Sequence, residues 1–270
     1  MIAGFLLERS LPETRTPWQV LSDVVAALFV RELKTRFGAS KLGYFWMLAE
    51  PVAMVLVFSA MFTLLGRQVL VGAEIPLFLL TGILPYLLFT KLISSLTTAV
   101  QSNKALFVYS QVTPIAPIIT RFLIEVAVFS LTYVALLLIL MWAGFQVVPS
   151  DPLFFIAVNC LVMALGLGFG LVLCAAQEHW QDVGKLVGII MQPMFFLSGI
   201  FYAMSMIPKQ YWYLMQWNPL LHLNELSRSA FFQSYSSEFA NWVFPLFLAL
   251  ILNVVGLMLF RINRDKFIAS

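Results

Sequence analysis

Apolar residues recur along this chain in two rhythms. Between positions 18 and 37, Leu21, Val24, Val25, Leu28 and Phe29 share one side of a helix, and Leu33 and Phe37 continue it at four-residue steps. Asp23, Arg31, Lys34 and Arg36 lie mostly off that side. The pattern predicts an amphipathic helix over 18–37 that lies in a membrane interface rather than crossing it. Six longer apolar stretches follow, at about 41–65, 76–100, 118–143, 152–176, 186–204 and 240–260. A hydrocarbon layer of roughly 30 Å needs about 20 apolar residues per helix, so each stretch predicts a span. Residues 205–239 are aromatic and amphipathic, are interrupted by Pro208 and Pro219, and hold no run of that length. They predict re-entrant or interfacial helices, covered by protein or water so that their backbone groups find partners.

The expected fold is therefore an all-α membrane protein with six transmembrane helices, an N-terminal amphipathic interface helix, and re-entrant or interfacial helices between spans five and six. Residues 1–17 form a cytoplasmic tail, 41–260 the six-span domain, and 261–270 a basic cytoplasmic tail.

Composition strengthens this picture. The chain has 270 residues, of which 61% are hydrophobic and 11% charged. Its mean hydropathy is +0.92. Soluble domains carry about 25% charged residues, so a water-soluble fold is excluded. Six spans also leave no room for a separate soluble catalytic domain. Lys and Arg set the orientation. Twelve fall in the segments placed inside and three (Arg67, Lys209 and Arg228) in those placed outside. That bias puts both termini in the cytoplasm. The N-terminus lacks the charged-apolar-small pattern of a cleaved signal peptide. Cys160 and Cys174 share one predicted helix about 21 Å apart, too far to bridge.

Three ionisable residues remain within spans: Glu50, Lys91 and Glu125. Each costs about 2.5–3.5 kcal/mol at a helix centre, against a gain of about 0.3–0.6 per large aliphatic residue. The topology puts them at similar depth in the inner half of the bundle. A cluster there can fix helix register as an ion pair, line a translocation path, or couple protons.

Chemistry-bearing motifs are absent. No G-x-x-x-x-G-K-[ST] phosphate loop occurs, since Gly184-Lys185 has His179 where the upstream glycine belongs. Gly166-Leu167-Gly168-Phe169-Gly170 sits inside an apolar run, and predicts close helix packing through small residues rather than a nucleotide fingerprint. His179 and His222 fall on opposite sides of the membrane, so neither a metal site nor a catalytic triad is assembled. No catalytic residue is expected. The aromatic residues near 195–217 read as an interfacial belt or as stacking faces for sugar rings.

Arg31-Glu32-Leu33-Lys34-x-Arg36-Phe37, then Ser40-Lys41-Leu42-Gly43-x-x-Trp46 and Glu50-Pro51, resembles the N-terminal signature of type-2 ABC exporter permeases. Asn103-Lys104-Ala105-Leu106-Phe107-x-Tyr109-x-Gln111-Val112-x-Pro114, followed by Arg121-Phe122-Leu123-Ile124-Glu125, is similar to the inner-membrane permeases of capsular polysaccharide export. Asn218-Pro219-Leu220-x-His222-x-x-Glu225-x-x-Arg228-x-x-Phe231 resembles polysaccharide-type members before their last span. The likeness covers about residues 18–265.

This resemblance implies a homodimer in the bacterial inner membrane, worked by two ATPase subunits that carry ATP and Mg while this chain holds no cofactor. It further implies a periplasmic adaptor, an outer-membrane channel and a lipid-linked acidic polysaccharide as cargo, with no nucleic acid. On that basis Arg31, Glu32, Lys34, Arg36, Lys41, Asn103, Lys104, Phe107 and Gln111 are expected to couple to the ATPase. Glu50, Lys91 and Glu125 organise the inner bundle or its pathway. Tyr202, Trp212, Trp217, Asn218, His222, Glu225 and Arg228 shape an outer gate. Alternatives are a permease for O-antigen, teichoic acid or another cargo of this type, a proton-driven carrier, and a membrane-embedded enzyme acting on lipid-linked sugars. The enzyme needs clustered acids or histidines at one membrane face.

Overall fold

Thr16-Pro17-Trp18-Gln19 writes a helix start into the chain. In the computed structural model the Gln19 amide donates to Thr16 Oγ1 (3.4 Å), and the Thr16 amide donates back to Gln19 Oε1 (2.8 Å). These reciprocal bonds satisfy amides that the first turn leaves open, and proline suits the position after the cap. Helix α1 (Pro17–Phe37) follows, its bounds within one residue of the helix expected over 18–37. The structure describes residues 16–37, 43–66, 69–70 and 72–269. The N-terminal tail to residue 15, the expected coupling residue Lys41 and the outer Arg67 lie outside the described residues.

The succeeding elements are α2 (Gly43–Leu64), the two-residue strands β1 (Val69–Leu70) and β2 (Ala73–Glu74), α3 (Ile75–Thr97) and a 3-10 segment over Gln101–Val108. Then come α4 (Ile115–Trp142), α5 (Pro152–His179), α6 (Val183–Leu197), two short 3-10 turns, α7 (Pro219–Phe231), α8 (Val243–Ile262) and α9 (Arg264–Ala269). The strands pair antiparallel, Val69 opposite Glu74. They occupy the connection read as a plain loop.

Helix α3 is apolar on every side from Ile75 to Phe89, and a helix of that kind belongs inside a bundle. Phe78, Leu79, Leu80 and Ile83 are fully buried along it. It packs against α5, and α5 packs in turn against α8. The glycines of α5 permit both contacts. A Cβ at Gly166 or Gly170 would meet Leu92 or Leu96 of α3 at 2.9 and 2.7 Å, while one at Gly168 would meet Leu252 of α8 at 2.8 Å. Asn253 of α8 donates across to the Ala164 carbonyl (2.8 Å). Gly170→Ala is expected to cost about 1–3 kcal/mol, since overpacking must displace Leu96. Thermal unfolding in detergent checks this, and an unchanged midpoint would sink it.

Among the described residues, four helices are long and apolar enough to cross a membrane: α3, α4, α5 and α8. Helices α4 and α8 leave wide apolar faces exposed, among them Leu131, Leu138, Phe247 and Val254. Faces of that extent are solvated by lipid, not by water. Residues 48–64 of α2 and all of α6 are shorter apolar helices. The sequence reading carried span five to 204, whereas α6 stops at Leu197. Its 15 residues rise about 22 Å, less than the hydrocarbon thickness. There the chain turns back through Gly199, at φ +70°, where a Cβ would strike Leu221 at 2.4 Å. Only glycine adopts that turn against α7 without strain. The non-spanning stretch expected at 205–239 therefore begins upstream, at the end of α6.

The 28 residues of α5 span about 42 Å and fix two ends of the bundle. At its start, the Ser150 and Asp151 amides donate to the carbonyls of Phe231 and Ala230 in α7. At its finish, Gln177, Glu178 and His179 meet the 3-10 segment and Asn263. These are called below the α7 end and the α1 end.

Candidate functional site

The polar residues fall into three groups. The first ties α1 to the bundle. Glu32 accepts from Arg121 Nε (3.3 Å), and Arg121 also donates to the Ser95 carbonyl (2.7 Å) and Thr98 Oγ1 (2.9 Å). Arg36 pairs with Glu125 of α4 at 2.6 Å. Arg31 donates to the Oδ1 of Asn103, and Asn103 in turn donates to the Ala99 carbonyl (2.8 Å). Lys104 pairs with Glu178 at 2.7 Å. Gln177 donates to Gln101 and to the Gln181 carbonyl, and accepts from the Gly184 amide.

Charge on the polar face of α1 is thus spent on fastening. Asn103 and Phe107 are buried, so they hold the 3-10 segment against the bundle. Lys34 and Gln111 are exposed, as are Val108 (86%) and Tyr109 (66%), two large apolar side chains at the tip of that segment. Arg121, Gln177 and Glu178 were missed as site residues. The four-residue spacing of Arg121 and Glu125 was the available signal, since it sets both on the face that meets α1.

The second group surrounds a cavity of about 290 Å³ between α2, α3 and α4, with Arg36 at its edge. Glu50 and Lys91 pair at 3.0 Å, and Glu125 faces Arg36. Glu50, Lys91 and Glu125 do gather, and a second cation from α1 balances them. The Lys91 and Glu50 side chains are 51% and 47% exposed, so this pair contributes no more than about 0.2–1 kcal/mol. Reversing one charge sets like charges face to face. Glu50→Lys or Lys91→Glu alone is therefore expected to lower the amount of folded protein several-fold, and the double swap to recover most of it. A swap no better than the single changes would dissolve the pair.

The third group lies at the α7 end. Asn218 caps α7, accepting from the Leu220 and Leu221 amides and donating to the Leu197 carbonyl (3.1 Å). Asn224 donates to the Ser198 carbonyl (2.7 Å). Arg228 is fully buried, donates to the carbonyls of Tyr202 (3.1 Å) and Ile200 (3.0 Å), and lies 3.6 Å from the Phe78 ring centre. Glu225, also buried, sits 3.5 Å from Arg228 and accepts from Tyr235, Ser237 and the Met204 amide. His222 stacks on Phe239 at 4.6 Å. Its Nδ1 accepts from the Asn241 amide, which leaves Nε2 to donate to the Gln216 carbonyl: the neutral tautomer. Burial holds its pKa below the usual imidazole value.

Three of the expected gate residues, Asn218, Glu225 and Arg228, thus brace the turn at 198–204 from behind, while His222 holds Gln216 and Asn241 beside it. Trp212, Tyr202 and Trp217 lie nearer the surface. Trp212 packs on Phe239 and donates to the Ile207 carbonyl, Tyr202 donates to the Leu197 carbonyl, and Trp217 is 57% exposed. A cleft of about 630 Å³ opens beside Trp212, bordered by Lys209, Ser234, Ser236 and Glu238. His179 and His222 stand at opposite ends. Among the described residues no three His, Cys, Asp or Glu side chains converge as metal ligands.

A bundle of long apolar helices, with a charged helix strapped to one end and a buried polar knot at the other, defines a multi-pass α-helical membrane protein. Residues 23–232 match the ABC2_membrane family, described as ABC-2 type transporter, and the chain belongs to that family. It is 33% identical over 256 residues to the polysialic acid transport protein KpsM of Escherichia coli, covering 95% of this chain and 99% of that one. It is 28% identical to the capsule polysaccharide export inner-membrane protein CtrC of Neisseria meningitidis serogroup A, over 87% and 88% of the two chains. The O-antigen export system permease protein RfbA of Klebsiella pneumoniae is 26% identical over 92% of this chain and 94% of its own.

Proposed function

We propose that this chain is the transmembrane permease subunit of an ATP-driven exporter that moves lipid-linked capsular polysaccharide across the bacterial inner membrane. End-to-end likeness to KpsM carries the reading. Two copies act with two separate ATPase subunits, which bind ATP and Mg. A periplasmic adaptor and an outer-membrane channel continue the route, and both termini face the cytoplasm. The excess of Lys and Arg at the α1 end supports that orientation.

In this reading α1 and the 3-10 segment receive the ATPase motion. Val108, Tyr109 and Gln111 offer the contact, while Glu32, Arg36, Asn103, Lys104 and Phe107 pass displacement to α3, α4 and α5. Rigid hydrogen-bonded elements carry force better than mobile loops, which is why so much fastening there suits a coupling role. Lys41 belongs to the same coupling group. The Glu50, Lys91 and Glu125 cluster organises the inner bundle or its pathway. At the other end the Arg228 and Glu225 knot sets the shape of the outer gate, with Tyr202, Trp212 and Trp217 as its aromatic edge.

The test is reconstitution in vesicles with its ATPase partner and a lipid-linked polysaccharide. Transport is expected with ATP, and none with this chain alone. Movement without the ATPase, or chemical change of the cargo, would overturn the proposal. Likeness to RfbA supports O-antigen as a second cargo, which a capsule-negative and O-antigen-negative host pair would separate.

A further inference from the structure

At the α1 end, a groove of about 560 Å³ runs between the first turn of α1, the entrance to α4 and the last turn of α8. Its walls are almost wholly apolar, formed by Leu21, Ile115, Leu257 and Phe260. Two arginines, Arg261 and Arg264, stand on its rim. Both are exposed, and neither forms an ion pair among the described residues. At the end of α8 the Asn263 amide and side chain cap the Leu259 carbonyl. Residues 261–266 carry three cations against one acid, Asp265.

We infer that this groove binds an anionic glycerophospholipid, its phosphate held by Arg261 and Arg264 and an acyl chain laid against α8. Three features favour a lipid over any other occupant. The exposed apolar residues Leu250, Val254 and Leu257 form a continuous track along α8 that leads into the groove, so one molecule can use both the wall and the track. Trp18, 80% exposed, stands at the groove mouth, where an amphipathic ring meets the headgroup level of a bilayer. Guanidinium groups above an apolar floor, without an ion pair among the described residues, match a ligand that is charged at one end and hydrocarbon at the other. The inference rests on the chain being embedded in a membrane, and not on its cargo or its ATPase. Lipid held here would pin the start of α1 to α4 and α8, the helices it must move with.

The experiment is native mass spectrometry of the delipidated full-length protein in detergent, titrated with phosphatidylglycerol or with phosphatidylcholine bearing the same acyl chains. Wild type is expected to prefer phosphatidylglycerol. R261A/R264A should lose about 30-fold in phosphatidylglycerol affinity, roughly fivefold per arginine, and less in phosphatidylcholine affinity, because choline offsets the charge of that lipid's phosphate. Leu257→Trp keeps both arginines and fills the groove, and should weaken phosphatidylglycerol binding by itself. Lys185→Ala removes an exposed cation elsewhere at this end and should change nothing. Equal retention of phosphatidylglycerol by the double variant would overturn the assignment, as would equal binding of the two lipids by wild type. Displacement of phosphatidylglycerol by equimolar inorganic phosphate would point to a simple anion site and would likewise overturn it.

Discussion

Arg228→Met is expected to lower stability by about 3–5 kcal/mol, the cost of breaking a buried ion pair from one side. The side chain has no exposure to give back. Its loss strands two carbonyls of the 198–204 turn, at Ile200 and Tyr202, and leaves Glu225 charged in the interior. Arg228→Lys should recover little, because a point charge cannot serve two carbonyls and the Phe78 face together. Glu225→Gln combined with Arg228→Met should cost less than the sum of the two single changes, since no charge is then left stranded. Thermal unfolding of the detergent-solubilised protein reads all four variants, the Glu225→Gln single included. A midpoint for Arg228→Met within a degree or two of wild type would remove the knot from the account.

The second large effect is asymmetric. Arg36 is 39% exposed and its partner Glu125 only 4%. Arg36→Ala therefore leaves a buried carboxylate without its cation, whereas Glu125→Gln frees a guanidinium that can turn to solvent. Arg36→Ala is expected to cost about 2–3 kcal/mol and Glu125→Gln about 1, after discounting for the exposed partner. In the proposed exporter the same bond straps α1 to α4. Arg36→Ala should then reduce surface polysaccharide about tenfold or more at equal membrane abundance, and Glu125→Gln much less. Adding Glu125→Gln to Arg36→Ala should restore part of the loss. Equal deficits from both single changes would mean that the pair is not what holds α1.

Some of the site could be read from the chain before any fold was known. Glu50, Lys91 and Glu125 stood out because charge within an apolar stretch is costly enough to demand company. The Gly166 to Gly170 run was legible for the opposite reason, since small residues in a span invite a close neighbour. Helix α1 was legible at both its cap and its stripe. The end of α6 was not. Residues 189–204 stay apolar through the turn, so no change of pattern marks where Gly199 reverses the chain. The complete burial of Arg228 was not legible, because its segment looks amphipathic and interfacial. Its partners come from 200–202, from Glu225 and from Phe78, and only the folded chain brings these into one place.

The chain by itself determined what must avoid water and what must face the membrane surface, because transfer free energy is summed residue by residue and needs no fold. It determined the helical class for the same reason: backbone groups in lipid must be satisfied within their own segment. Only tertiary structure decided which charges meet. Arg36 could have paired with Glu32 by local spacing, yet Glu32 went to Arg121 and Arg36 reached Glu125. Electrostatic pairing in a low dielectric depends on ångström-scale distance between helices that lie far apart in sequence, and their packing sets that distance.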